Sequence, residues 1–445
     1  MGSFIAIDIG SSFIKAALFN FEQNKIIDVI KIASPEKEYT KDPNKYEVKA
    51  NAYVSITKEI LHTFTTKYKD ICGLLFSTQQ HGFIYEYDSN PVYISWQDQR
   101  CIEKSENGKN FIEILSELTS RNDFLDCGVY LKPSLGLCNL YTLINTENIK
   151  KDGTLYTLGS YIIYKLCGKN VAHSQNLTQW GFFKPDSLSY SYDILKKVNL
   201  HNITLPNIAL SDTKPIETIT INNQIISIYP DFGDVQISAL GAQVDDNGAL
   251  INLGTAGQVI VPLETFKAST SFETRPYFNG KYIQLISNMP AGRNIDVLIN
   301  FIHDVINDIA TKEMSKNEIW ERIHLILSNK NQSTLNIDPR FFATESKTDG
   351  GSINNIMSDN LNIKDLFNSL FKSMTSIYLT NISKLKDLSS LSSIVCAGGT
   401  SWKVPELIQE IKHQSNLPCR LSAMQDESLN GMFLISKKCY ELNKK

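Results

Sequence analysis

The strongest constraint in this chain is an apolar hairpin that occurs twice, about half the sequence apart. Residues 4–8 and 13–19 read as strands around a Gly10-Ser11-Ser12 turn. Residues 249–253 and 258–263 repeat the design around Gly254-Thr255-Ala256-Gly257. Side by side, Ile7-Asp8-Ile9-Gly10-Ser11 matches Ile251-Asn252-Leu253-Gly254-Thr255, each with a glycine and a hydroxyl residue at the tip. A repeat at this separation predicts two structurally related lobes. The 445 residues accommodate two lobes at roughly 100–200 residues per domain, and 42% hydrophobic content supplies a core for each.

Other segments fit an α/β reading. Residues 51–64 and 363–381 carry helical apolar spacing, and 71–76 and 392–396 read as short buried strands. A helix is expected to begin near Pro405, a favoured first-turn position. Residues 200–214 mix Asn, Pro, Thr and Ser and read as loop, so the lobe boundary is expected near Pro230, giving lobes 1–230 and 231–445. The net charge of -3 provides no basic field, so nucleic acid and anionic membrane are not expected partners. No apolar run approaches the roughly 20 residues of a spanning helix, and Met1-Gly2-Ser3 enters a strand directly without a signal-peptide pattern. Eight scattered cysteines without a Cys-x-x-Cys pair point to buried thiols in a reducing cytoplasm rather than a zinc ribbon.

With so little net charge, phosphate binding must come from local backbone geometry. The Gly-Lys-Ser/Thr of a Walker loop is absent. A hairpin tip works differently. Gly10 lets the backbone approach phosphate oxygens, the Ser11 and Ser12 hydroxyls and amides donate to them, and Asp8 is placed to orient Mg²⁺ through water. Gly254, Thr255 and Gly257 offer the same at the second tip. Read alone, each is also an ordinary hairpin. In Gly233-Asp234-Val235-Gln236, Asp234 precedes an apolar helical stretch at 237–241. A carboxylate at a helix N-terminus is held ionised and can accept a proton from an attacking hydroxyl, although the same position suits a simple N-cap. Gln79-Gln80-His81-Gly82 gathers polar groups, and Trp96-Gln97-Asp98-Gln99-Arg100 adds an aromatic face and an Asp–Arg pair. Such groups suit a sugar's hydroxyls and apolar faces, while His81 and Trp96 taken singly fit core packing equally well.

In this order, these segments resemble the FGGY family of carbohydrate kinases over residues 5–437. The stretch from Asp8 to Ser12 resembles the family's first phosphate loop. Gln79-Gln80-His81-Gly82 resembles its Gln-Met-His-Gly sugar motif, with Gln80 in place of methionine, and Trp96 to Arg100 resembles its Trp-x-Asp-x-Arg motif. Gly233-Asp234 is similar to the start of the second lobe, whose aspartate is the family's base. Residues 254–257 are similar to its second phosphate loop, and Ala397-Gly398-Gly399 to its adenosine turn. Within the family, Asp234-Val235-Gln236, Gln175-Asn176 with Trp180-Gly181-Phe182-Phe183, and Pro276-Tyr277-Phe278-Asn279 resemble the sedoheptulokinase branch.

The resemblance implies two ribonuclease H-like lobes of the actin, sugar kinase and Hsp70 type, with a central cleft. It also implies transfer of the ATP γ-phosphoryl group, with Mg²⁺, to a terminal hydroxyl of a ketose. Asp234 is the implied base; Gln80, His81, Trp96, Asn176 and Gln236 would hold the sugar. Asp8, Gly10, Ser11, Ser12, Gly254, Thr255 and Gly257 would address phosphates and Mg²⁺, and Gly398 and Gly399 adenosine. Sedoheptulose is the expected sugar and a pentulose or polyol the alternative; a monomer or homodimer is expected. A non-catalytic actin- or chaperone-like ATPase would have no reason to keep the Gln79 and Trp96 motifs together. Two departures stand out: Gln80, and Asp426-Glu427-Ser428-Leu429-Asn430-Gly431 where the family carries a small-residue Ala-Gly-Ala helix.

Overall fold

The computed structural model describes residues 2–88, 91–105, 107–147, 149–309, 313–327, 333–342 and 350–443. The chain forms two compact units. The first comprises Met1–Gly241, Glu264–Ile283 and Ser428–Lys445, and the second Ala242–Leu263 and Gln284–Glu427.

In the first unit, β1 (Ser3–Ile9), β2 (Phe13–Asn20) and β3 (Lys25–Ala33) form an antiparallel meander. β4 (Ile71–Thr78) pairs in parallel with β1, and β6 (Gln224–Gly233) pairs in parallel with β4; β5 (Glu217–Ile221) closes the edge. The resulting order is β5-β6-β4-β1-β2-β3. Strand periodicity divides β1 between two cores. Ile5, Ile7 and Ile9 face α1 (Ala50–Lys67) and α2 (Leu158–Cys167), packing with Tyr53, Ile60, Phe64 and Tyr161. Phe4 and Ala6 face the other way, toward Ile237 of α3 (Asp234–Ala242) and Met432 and Ile435 of the last helix, Glu427–Asn443. Each such buried aliphatic or aromatic side chain stabilises the unit by about 1.5–3 kcal/mol relative to exposure. A sheet covered on both faces explains why its central strands lack a polar side.

In the second unit, β7 (Gly248–Leu253) pairs antiparallel with β8 (Gly257–Leu263) and parallel with β10 (Ser393–Ala397), which pairs parallel with β11 (Cys419–Leu421). With β9 (Tyr282–Met289), five neighbouring strands run in the order β9-β8-β7-β10-β11. This is the order β3-β2-β1-β4-β6 of the first unit, so the repeated hairpins are the central strands of two ribonuclease H-like sheets. Helix α4 (Ile363–Leu385) starts at the Asn362 cap, whose side chain accepts from the Asp365 N–H, and α5 (Pro405–Ser415) starts at its proline.

The chain near Pro230 differs from the boundary expected there. β6 runs through it, with a register irregularity between Ile228 and Asp231 where proline has no N–H to donate, and residues 231–241 stay in the first unit. The 200–214 segment also contains a short strand, Asn207–Ala209, paired with Val171–His173. All eight cysteines are free thiols; five are buried, whereas Cys72, Cys167 and Cys419 are half-buried. No described helix is long and apolar enough to cross a membrane.

Candidate active site

The C-terminal ends of three parallel strands converge in the first unit. Ile9 is level with Thr78, and Thr78 with Gly233, so Gly10, Gln79-Gln80 and Asp234 all leave the sheet at one edge. Ligand sites of open α/β sheets form outside such strand ends. Asp234 is the first residue of α3 and is half-buried; its Oδ1 accepts the Val235 N–H at 2.9 Å. Burial pushes the Asp234 carboxyl up to about 6, and the charge of Asp8 pushes the same way, while the Val235 N–H and the Arg275 cation oppose. Asp8, on β1, accepts the Ser428 hydroxyl at 2.8 Å. Two acids therefore share this edge, and the field of each makes the other harder to ionise.

A short strap, residues 173–176, ties the strand ends together. Gln175 accepts the Gly233 N–H through its side chain at 3.1 Å and the Gln80 Nε2 through its backbone oxygen at 2.6 Å. Asn176 donates to Thr78 Oγ1 at 3.2 Å and Asp231 Oδ2 at 2.8 Å. Gln236 donates to the Pro276 carbonyl at 3.1 Å. The buried acceptors Gln236 Oε1 and Asn176 Oδ1 have no partner among the described residues. Both polar atoms of Gln80 have a partner: Arg275 donates to its Oε1 at 2.7 Å and its Nε2 donates to the strap. Burial, then the Lys132 and Arg275 cations, keep His81 well below the usual histidine range, so it is a neutral imidazole.

Sequence reading missed two buried groups here. Lys132, Glu273 and Arg275 are 8%, 2% and 4% exposed. Glu273 takes the Lys132 ammonium on one oxygen and Arg275 Nε and Nη2 on the other, at 2.9 and 2.6 Å. Burial opposes ionisation of Glu273, but the two cations overcome it and hold its carboxyl far below the usual range. The second is Asp231, which accepts from Thr157 Oγ1 at 2.7 Å, the His173 N–H at 3.1 Å and Asn176. Burial pushes Asp231 up to about 6 against those bonds. Nothing local in the sequence marks Glu273 and Arg275. The one signal is Gln80 itself, an amide where the family's methionine needs no partner.

The Trp96 segment divides into two roles. Trp96 is 42% exposed and presents a ring face. Asp98 and Arg100 are buried as a bidentate pair, with Arg100 Nε on Oδ1 at 2.9 Å and Nη2 on Oδ2 at 2.8 Å; Arg100 also reaches Glu47, and Asp98 accepts the Tyr46 N–H. That pair is a clamp between chain segments. At the first hairpin tip Ser11 and Ser12 are exposed, and Ser34 bonds the carbonyls of Gly10 and Ser12 at 2.8 and 3.0 Å, fixing the tip.

In the second unit, Asn252 is level with Ala397, so Gly254 and Gly398 leave neighbouring parallel strands at one edge. Thr255 and Gly399 are exposed; Gly257 is buried at the start of β8. The Gly254 carbonyl accepts the Gly292 N–H at 3.1 Å and Thr400 Oγ1 at 3.2 Å. Gly398 has φ +84°, and a Cβ there would lie 2.6 Å from the Leu253 carbonyl, so only glycine fits. Glu427 accepts the Gly398 N–H at 3.0 Å and the Ser422 hydroxyl at 2.7 Å. In the first unit Ser428 bonds Asp8, and a Cβ on Gly431 would meet the Ile237 carbonyl at 1.9 Å. The polar residues of 426–431 thus have their own partners, and the one glycine kept is where the last helix crosses α3.

The model of the N-terminal domain of the FGGY family of carbohydrate kinases matches residues 3–241, more than half the chain. The chain belongs to the FGGY family of carbohydrate kinases. It is 21% identical over 402 residues to the sedoheptulokinase of Mus musculus, covering 81% of each chain. It is 20% identical over 417 residues to that of Homo sapiens, covering 85% of this chain and 83% of the human one. Its fold matches that of a xylulose kinase from Lactobacillus acidophilus, solved with ligand, with TM-score 0.82 at 16% identity over 100% of this chain and 91% of that one.

Proposed function

We propose that the protein transfers the γ-phosphoryl group of ATP to a terminal hydroxyl of a ketose, with sedoheptulose its principal substrate. The observation that carries this is Asp234. It is a half-buried carboxylate at a helix N-terminus, beside Asp8 and at the meeting point of three strand ends. A base with its pKa near 6 is ionised at neutral pH yet retains affinity for a proton. It would take the proton from the sugar hydroxyl as that oxygen attacks phosphorus. The open acceptors Gln236 Oε1 and Asn176 Oδ1 suit other hydroxyls of the sugar, and the exposed Trp96 ring suits an apolar sugar face.

Ser11 and Ser12 in the first unit, and Thr255 with Gly254 and Gly257 in the second, would address phosphates. Gly398 and Gly399 would let adenosine lie against backbone. Among the described residues no group of three or more His, Cys, Asp or Glu could hold a metal ion. Mg²⁺ fits all the same, since it needs one or two carboxylates and takes its other ligands from water and phosphate; Asp8 is the residue for that role. When bound, Mg²⁺ neutralises charge developing on the phosphoryl oxygens.

The heptulose preference rests on similarity to the relatives named sedoheptulokinase, and on Gln175, Asn176 and Gln236, which resemble motifs of that branch. The test is coupled ADP release with sedoheptulose, xylulose, ribulose and glycerol side by side. Sedoheptulose is expected to give the highest kcat/KM. A pentulose ahead by about tenfold, or roughly 1.4 kcal/mol in the transition state, would reassign the sugar. ATP hydrolysis indifferent to every sugar would identify a non-catalytic ATPase scaffold instead.

A further inference from the structure

Gln80 stands where the family's sugar motif carries methionine, and each of its two polar atoms has a partner. Its Oε1 accepts from Arg275 at 2.7 Å and its Nε2 binds the Gln175 carbonyl at 2.6 Å. Arg275 Nη2 also reaches His81 Nε2 at 3.3 Å. His81 is neutral, so that nitrogen accepts. Two acceptors of the motif that sequence reading assigned to the sugar, Gln80 Oε1 and His81 Nε2, therefore meet a guanidinium.

That guanidinium is held rigidly but not saturated. Of its five N–H donors, Nε and one on Nη2 go to Glu273, the second on Nη2 to His81 and one on Nη1 to Gln80. One Nη1 donor is left over. The Lys132 ammonium, paired to the other Glu273 oxygen, uses one of its three donors. Two buried cations sharing one carboxylate thus leave three donors with no acceptor among the described residues, and the Arg275 charge reaches Asp234, where it favours the ionised form. Buried donors without partners are costly, and a polyhydroxylated ligand supplies the missing acceptors.

We propose that Arg275 is the specificity-determining residue of the sugar site, donating to ketose hydroxyl oxygens, while Gln80, His81 and Glu273 serve to hold it. The assignment rests on the ketose kinase reading and deepens it. It identifies the substrate end as one rich in hydroxyl acceptors and explains the Gln80 departure as the partner that a buried arginine requires.

A second consequence separates this role from a purely structural one. The charged and titratable groups around Asp234 are Asp8 from β1, Arg275 from the segment Glu273–Pro276, and Tyr93 from Val92–Ile94. Arg275 is the cation of that set and favours the ionised Asp234, so removing it should move the acid limb of kcat/KM to higher pH.

The experiment first establishes turnover of a ketose by the wild-type protein; absence of turnover on every ketose would defeat the kinase reading, and this assignment with it. With turnover in hand, Arg275→Gln is expected to raise the sugar KM by about tenfold or more, the scale of a lost hydroxyl contact. The ATP KM should stay within about twofold, and the acid limb should move up in pH. Arg275→Lys, which keeps a cation, should restore the limb and part of the sugar affinity. A folded Arg275→Gln protein with unchanged sugar KM, or with an unmoved limb, overturns the assignment while the kinase reading stands. If Arg275→Gln does not fold, Gln80→Met answers instead. It removes an acceptor that aims Arg275 and should raise the sugar KM alone; an unchanged sugar KM overturns the assignment.

Discussion

Replacing Asp234 by Asn should make the protein more stable at neutral pH while removing its activity. The folded-state pKa is about 6 against an ordinary 3.8. That difference, at about 1.36 kcal/mol per unit, means the ionised carboxylate costs the fold up to about 3 kcal/mol. The sign follows from the direction of the shift. The unfolded chain ionises Asp234 near 3.8 and the folded chain only near 6, so the penalty is absent at low pH, grows between those values and is full above 6. Asn carries no charge, and its side-chain oxygen still accepts the Val235 N–H, so at pH 8 the variant should gain about 2–3 kcal/mol. For a unit of this size that is a Tm increase of about 4–10 °C. At pH 4.5 linkage leaves only about 1 kcal/mol of difference. Thermal unfolding of both proteins at the two pH values, followed by circular dichroism, checks this. Equal Tm values at pH 8, or a less stable variant, would refute the reasoning that Asp234 is held as a strained, charged base.

At the second hairpin tip, a Cβ on Gly254 would have its nearest neighbour, the Ala256 carbonyl, 3.8 Å away. Gly254→Val should therefore keep Tm within about 1 °C while raising the ATP KM by about tenfold, through blocked approach to phosphate; an unchanged ATP KM in titration would remove the tip from nucleotide binding. Gly398→Val should instead lower stability by about 1–3 kcal/mol because of its positive φ and the 2.6 Å approach to Leu253, and a denaturant midpoint equal to wild type would contradict that. Asp98→Ala should cost about 3–5 kcal/mol by leaving Arg100 buried without its bidentate partner; urea unfolding measures it, and a loss below about 1 kcal/mol would show that Glu47 and Glu147 satisfy the arginine without it.

Local features were readable from the sequence. The hairpin tips, the helix start at Asp234 and the strand ends preceding Gln79 and Gly398 all follow from residues within a few positions of one another. The repeat at Ile7 and Ile251 pointed to two related lobes because the hairpin strands of each are mostly buried and must be largely apolar. Arg275 and Glu273 were not readable. Arg275 meets Gln80 across 195 positions and Glu273 meets Lys132 across 141, and no periodicity links such pairs. Asp98 and Arg100 show the intermediate case. Their spacing made the pair visible, but only their burial shows that they clamp the chain rather than face a sugar. Asn176 resembles a sugar residue in sequence, but its donor holds Asp231 and Thr78, and only its oxygen is without a partner among the described residues.

The central claim is that phosphoryl transfer to a ketose depends on Asp234. Sedoheptulose-dependent ADP release should be measured for wild type and Asp234→Asn at pH 8 under saturating ATP and Mg²⁺, with nucleotide affinity followed in parallel. The account predicts robust wild-type turnover and a loss of roughly 10²–10⁴ in kcat for the variant, with ATP affinity within about twofold. A folded, ATP-binding variant that turns over at close to the wild-type rate would contradict it.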